Sequence, residues 1–122
     1  MTDIRDIAAG YYTAIDRSDI DHIVSLFAED AVYDRAGVEY RPLSSIRKFF
    51  SEGRTISGEH VISGLWSDEE TRTVFVTGRF EGQGEEGNAR SFGFSDFWHF
   101  NEAGLVSKRE SYLALGHAHS TR

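Results

Sequence analysis

The chain has 122 residues, 39% of them hydrophobic and 13% aromatic, enough for one compact domain with a real core and too few for two. Thirteen Lys and Arg stand against 20 Asp and Glu, a formal charge of −7 with no basic cluster, which excludes a nucleic-acid or anionic-membrane partner. Cysteine is absent, so disulfide frameworks and thiolate metal sites are excluded as well.

The opening MTDIRDIAAGYY holds acidic residues and no long apolar core, unlike a secretory signal. No window approaches the roughly 20 apolar residues of a membrane helix, so a cytoplasmic protein is expected. From Asp3, a suitable N-cap, the residues Ile4, Ile7, Ala8, Tyr11 and Ile15 recur with helical spacing and predict a first helix with Tyr11 on its core side. Ser18 predicts the cap of a second helix, with Asp19 and Asp21 in its first turn and Ile20, Ile23, Val24 and Phe27 on its buried face. A short strand is expected at Ala31, Val32 and Tyr33, then a loop through Gly37 and Pro42. A third helix fits Ser45 to Glu52, stopped by Gly53.

Beyond about residue 58 the pattern is that of strands. Segments at 59–66, 72–82, 89–100 and 105–115 are separated by the turn-rich SDEET, GQGEEGN and NEAG. The expected domain, residues 1–122, is α+β: three N-terminal helices packed on the concave face of a curved antiparallel sheet. Strands of some 11 residues run about 35 Å and must curl around the helices, making a cone with a pocket.

One stretch of that sheet raises a chemical question. In FGFSDFWHF the two-residue period places Phe92, Phe94, Asp96, Trp98 and Phe100 on one face, a single carboxyl among four aromatics. The other face carries Gly93, Ser95, Phe97 and His99. A carboxyl taken out of water among rings keeps its proton more readily and becomes a hydrogen-bond donor. Together with the Tyr11 hydroxyl, it would hold a substrate oxygen on which charge develops. The structural alternative is a pair with an arginine such as Arg35, Arg79 or Arg90, or a bulge that turns Asp96 to solvent. Asp34, at the end of the short strand, is the candidate base; an Asp before a glycine-containing loop is also a common turn former. Arg35 cannot act as a base but can orient an anion. Phe92, Phe94, Trp98 and Phe100 are expected to wall the pocket.

The histidines suggest no metal site. His117 and His119 lie in a polar tail, His22 is expected at the surface, His99 points away from the pocket and His60 is unassigned. No phosphate-loop, nucleophile-elbow or dinucleotide motif occurs, so neither metal nor cofactor is expected.

DRSDIDHIVSLFAEDAVYD, SSIRKFF and SDFWHFNEAGLVSKRESYL together resemble the nuclear transport factor 2-like superfamily, which includes ketosteroid isomerase and the SnoaL-like polyketide cyclases. The resemblance spans roughly residues 4–115 and is nearest in motif to bacterial ketosteroid isomerase. It implies a cone fold, a small apolar ligand, proton-transfer chemistry on a carbonyl compound, and a homodimer through the outer sheet face. It also implies the oxyanion-holding roles of Tyr11 and Asp96. The family's base falls on Arg35 without a gap and on Asp34 with one deletion before Gly37. The resemblance equally admits a ligand-binding or dimerisation module without catalysis.

Overall fold

The computed structural model describes residues 3–53, 56–84 and 86–114. The tail bearing His117 and His119 lies outside them.

Helix α1 (Ile4–Asp16) is capped as expected, the Asp3 carboxylate accepting the Arg5 N–H at 2.9 Å. Its buried face is broader than one stripe, taking in Tyr12 and Ala14 beside Ile4, Ala8, Tyr11 and Ile15. Ser18 does not cap the next helix; it adopts a left-handed backbone (φ 56°), and Asp19 caps α2 (Ile20–Ser25) by accepting the His22 N–H at 3.2 Å. That helix has only six residues because Phe27 already belongs to a strand.

Strand β1 (Phe27–Arg35) is much longer than the expected Ala31–Tyr33 segment, and β2 (Val38–Tyr40) folds back on it. The short third helix α3 (Leu43–Lys48) begins earlier than expected and passes into a π turn at Phe49–Gly53. The long strands are β3 (Ser57–Asp68), β4 (Thr73–Gln83), β5 (Ala89–Phe100) and β6 (Val106–Ala114). They form a meander of antiparallel pairs as the sequence predicts. The sheet has six strands in the order β2-β1-β6-β5-β4-β3, and β1 runs parallel to β6. The expectation of antiparallel pairing is therefore corrected at that one junction. A hairpin cannot join two parallel strands, and strands β2 to β5 lie between β1 and β6 in sequence.

The sheet is curved and does not close. Its bend is marked where the β3–β4 register shifts between Ile62 and Gly64. Opposite this shift stands Gly78, where an added Cβ would lie 2.2 Å from the Val61 carbonyl oxygen, so only glycine fits. Along β5, burial alternates strictly from Phe92 to Phe100 and leaves Asp96 on the buried side. Against that face pack Val74, Val76 and Phe80 of β4 and the aromatic residues of α1. Fully burying one such side chain contributes about 1.5–3 kcal/mol, so this seam dominates the stability of the domain.

Candidate active site

The carboxyl of Asp96 is buried, 1% exposed, but it is not alone. Strand β6 lies beside β5 with Ser111 opposite Asp96 and Arg109 opposite Trp98. That register sets a guanidinium one rung away on the same inner face. Arg109 Nη2 donates to Asp96 Oδ2 at 2.9 Å, and the Tyr12 hydroxyl donates to the same oxygen at 2.5 Å. Trp98 Nε1 donates to the Tyr12 oxygen at 3.1 Å, and Arg109 Nη1 donates to the Tyr11 oxygen at 2.8 Å. A chain of hydrogen bonds thus runs from Trp98 through Tyr12, Asp96 and Arg109 to Tyr11.

This geometry corrects the expectation of a lone Asp96. Asp96 Oδ2 accepts from both Tyr12 and Arg109, and the ion-pair partner is a guanidinium, though not Arg35, Arg79 or Arg90. Arg109 is held by more than the ion pair. Its guanidinium carbon lies 4.2 Å from the Tyr11 ring centroid, 4.6 Å from Trp98 and 4.8 Å from Tyr33. Burial opposes its charge, but Asp96 and the surrounding tyrosines outweigh that and raise its proton affinity further. Among the described residues its buried Nε has no hydrogen-bond partner. Burial is also the largest cause that holds the Tyr12 phenol well above its ordinary range, with the Asp96 charge adding to it.

The network closes the inner end of a cavity. Tyr11, Asp96, Arg109 and Ser111 stand at its polar side, Phe49, Phe50, Phe92, Phe94 and Leu113 along its apolar walls, and Arg35 and His60 also line it. The space left for water-sized contents is about 30 Å³, room for little more than one water molecule.

Of the residues singled out in sequence, Tyr11, Asp96, Arg35, Phe92 and Phe94 therefore meet at one cavity. Trp98 and Phe100 are buried in the core beside it rather than in its lining. Asp34 lies on the opposite parity of β1 from Tyr33 and Arg35, and its Oδ1 accepts the Gly37 N–H at 3.2 Å. It serves its own turn. Arg35 and Tyr33 are the β1 residues at the cavity, and the Arg35 guanidinium lies 5.3 Å from the Phe49 ring centroid.

Sequence reasoning missed Arg109, Tyr12 and His60. The signal for Arg109 was its shared parity with Ser111 and Leu113 in β6, and that for Tyr12 was its position next to Tyr11 on a helix enclosed by the sheet. His60 carried no signal; its carboxylate partner, Asp16, lies 44 residues away. Among the described residues no cluster of three or more His, Cys, Asp or Glu is placed to hold a metal ion, and no helix is long and apolar enough to cross a membrane.

The SnoaL-like domain model matches residues 8–109, most of the chain. The chain belongs to the SnoaL-like domain family. Comparison with the curated proteins finds none that matches. Among solved structures, this SnoaL-like domain is similar to a candidate polyketide cyclase from Pseudomonas putida KT2440, with TM-score 0.82 and 14% identity over 92% of each chain. It is similar to a protein of ketosteroid isomerase-like fold from Catenulispora acidiphila, solved with trimethylamine, with TM-score 0.76 and 13% identity over 89% of this chain and 85% of the other. An LEH-like epoxide hydrolase from M. tuberculosis also matches, with TM-score 0.76 and 15% identity over 90% and 81%. Identities this low establish the shared cone and leave chemistry to the residues inside it.

Proposed function

We propose that this SnoaL-like domain binds a small, largely apolar carbonyl compound in its cone and acts on it by proton transfer, as an isomerase or lyase of the ketosteroid isomerase type. The observation that carries this reading is the polar cluster set into an aromatic cavity. Tyr11 lines that cavity while its oxygen accepts from Arg109 at 2.8 Å. A hydroxyl that accepts from a cation is polarised and donates more strongly, and fixed donors in a dry site stabilise charge that builds on a carbonyl oxygen. Arg109 holds this arrangement in place, with Asp96 and Tyr12 behind it. Arg35 adds a cation at the wall; among the described residues none of the ion pairs includes it.

A guest larger than water needs more room than the cavity offers. Phe49 and Phe50 are the walls suited to move, since they sit on the π turn, a backbone form that recurs at functional sites. Calorimetric titration with a naphthol, whose phenolate mimics an enolate, tests the oxygen site. Binding to the wild type and a roughly tenfold loss in Tyr11→Phe are expected, about 1.4 kcal/mol for one hydrogen bond to a charged group. Equal affinity in the two proteins would remove it. Conversion of a β,γ-unsaturated ketone to the conjugated enone tests the chemistry, and a wild type inert towards it would remove the isomerase reading.

A second reading, a module that assembles through the outer sheet face, has its own observation. Trp66, Phe75 and Phe97 sit opposite one another on β3, β4 and β5, with ring centroids 5.7 and 4.6 Å apart. Trp66 is 58% exposed and Tyr112 of β6 is 54% exposed. Such a row suits a self-complementary contact between two copies. Native mass spectrometry of the wild type and of Trp66→Glu with Phe97→Glu tests it: a dimer that the substitutions split supports the contact, and a monomeric wild type refutes it.

A further inference from the structure

The cavity wall carries a positive charge that the inner network does not balance. Two guanidiniums line it, Arg35 and Arg109, against the one carboxylate of Asp96, in a chain whose formal charge is −7. Arg109 and Asp96 are bonded to each other at 2.9 Å, so Arg35 is the charge in excess.

Other arginines are placed differently. Arg41, Arg47, Arg79 and Arg109 each hold a carboxylate, and the remaining described ones are exposed. Arg35 is half-buried, and among the described residues it enters no ion pair and no side-chain hydrogen bond. The strand register explains this. The carboxylates beside it in the sheet, Asp34 of β1 and Glu110 of β6, stand opposite each other on the other parity, where Asp34 accepts the Gly37 N–H and Glu110 meets His99. Directly across from Arg35 stands Ser111, buried and at the cavity wall. Its hydroxyl donates to the Tyr33 oxygen at 3.5 Å, a long and weak bond. Against the guanidinium lies the Phe49 ring, a contact that orients the planar fork without using its N–H donors. Phe49 also lines a second hollow of about 470 Å³, together with Tyr40, Ser45, Lys48 and Glu52. Room for the body of a guest thus adjoins the ring on which the unpaired cation rests.

We propose that the guest of this cavity is an oxo acid, a carbonyl compound that also bears a carboxylate, and that Arg35 selects it by that carboxylate; the inference rests on the carbonyl-binding reading above and names its substrate class. One guanidinium fork matches the two oxygens of a carboxylate, and one excess positive charge matches one negative charge. The Ser111 hydroxyl stands across the strand as a further donor. A phosphate, with close to two charges, calls for more cations or a row of backbone N–H groups, and Arg109 is already taken by Asp96. The negative charge of the whole chain repels anions at a distance, so the preference arises at contact and is removed with one side chain.

Two probes that differ by one carboxylate decide it: a naphthol, and a hydroxynaphthoate that carries the acid on its second ring. Each is titrated calorimetrically into the wild type, Arg35→Gln, Arg35→Met and Arg35→Lys. The wild type is expected to bind the acid about ten- to a hundredfold more tightly than the naphthol, the range of one hydrogen bond to a charged group. Arg35→Gln and Arg35→Met are expected to lose that preference, the acid losing roughly tenfold more affinity than the naphthol, and Arg35→Lys to keep part of it. Two neutral replacements, one polar and one apolar, let the loss be read even where one of them fails to fold. A wild type that binds both probes equally, or prefers the naphthol, overturns this inference and leaves the carbonyl reading standing. A preference that survives in the neutral variants overturns the role of Arg35. A wild type that binds neither probe overturns the inference together with the reading beneath it.

Discussion

The two faces of the sheet carry the same device. On each, a basic side chain and a carboxylate from β5 and β6 approach to 2.9 Å: Arg109 with Asp96 on the concave side, His99 Nε2 with Glu110 on the convex side. The inner side chains are 4% and 2% exposed, the outer ones 36% and 24%. Distance alone does not set what a pair contributes. In water the attraction is largely screened, whereas in the core each partner depends on the other to offset the loss of its hydration. The concave pair is thus a commitment of the fold, and the convex pair an adjustment of its surface.

The largest expected effect comes from breaking the inner pair on one side. Arg109→Met leaves Asp96 buried without its counter-charge and is expected to cost about 3–5 kcal/mol, a large share of the roughly 5–15 kcal/mol that holds a domain together. Urea unfolding measures it. Combining Arg109→Met with Asp96→Leu removes both charges and is expected to recover most of that loss, since apolar replacements of a buried pair are often neutral or stabilising. The double variant should nevertheless bind the naphthol more weakly than the wild type, because Tyr11 then lacks the donor that polarises it. A double variant that binds like the wild type would show that the inner pair serves stability alone.

A smaller effect appears at alkaline pH. Burial, and then the Asp96 charge, hold the Tyr12 phenol well above its ordinary value of 10.0. In the unfolded chain the phenol ionises near that value, while in the folded protein it keeps its proton. The contribution is therefore fully present below pH 10 and is lost as pH rises beyond it, with a slope approaching about 1.4 kcal/mol per pH unit for this group. Tyr12→Phe should be less stable than the wild type at pH 7, through loss of the bond to Asp96, and should show a shallower fall between pH 10 and 11. Parallel curves for the two proteins would mean that Tyr12 ionises as readily folded as unfolded.

How much of this was legible beforehand follows the same division of faces. The two-residue period of FGFSDFWHF was enough to bury Asp96 and to expose Phe97, and the helical stripe was enough to aim Tyr11 inwards. The partner of Asp96 was not legible. Arg109 sits between Lys108 and Glu110, a run that looks solvated, and becomes buried only because β6 is enclosed by β1 and β5. Arg79, by contrast, lies on the exposed side with Glu81 and Ser91. Strand β1 was underestimated because Glu29 and Asp30 are weak strand formers; its register with β6 shifts between Phe27 and Val32, and tertiary pairing overrides propensity there. Asp16 and His60 meet across a sequence separation that no local pattern encodes.

The smallest expected effect belongs to the convex pair. Its hydrogen bond to His99 is the largest cause that holds the Glu110 carboxyl below its ordinary value of 4.5; burial opposes it, and the hydrogen bond to Tyr112 and the nearby Lys108 add to the lowering. A depressed carboxyl contributes stability above the unfolded value, and that contribution is lost as pH falls through the folded one. Because solvent screens the pair, Glu110→Gln is expected to cost under about 1 kcal/mol at pH 7, with a smaller difference at pH 3. Urea midpoints at the two pH values measure it. A cost at pH 7 as large as that of Arg109→Met would mean that the convex face is covered in solution, as a contact between two copies would cover it, and that exposure in a single chain understates how enclosed His99 and Glu110 are.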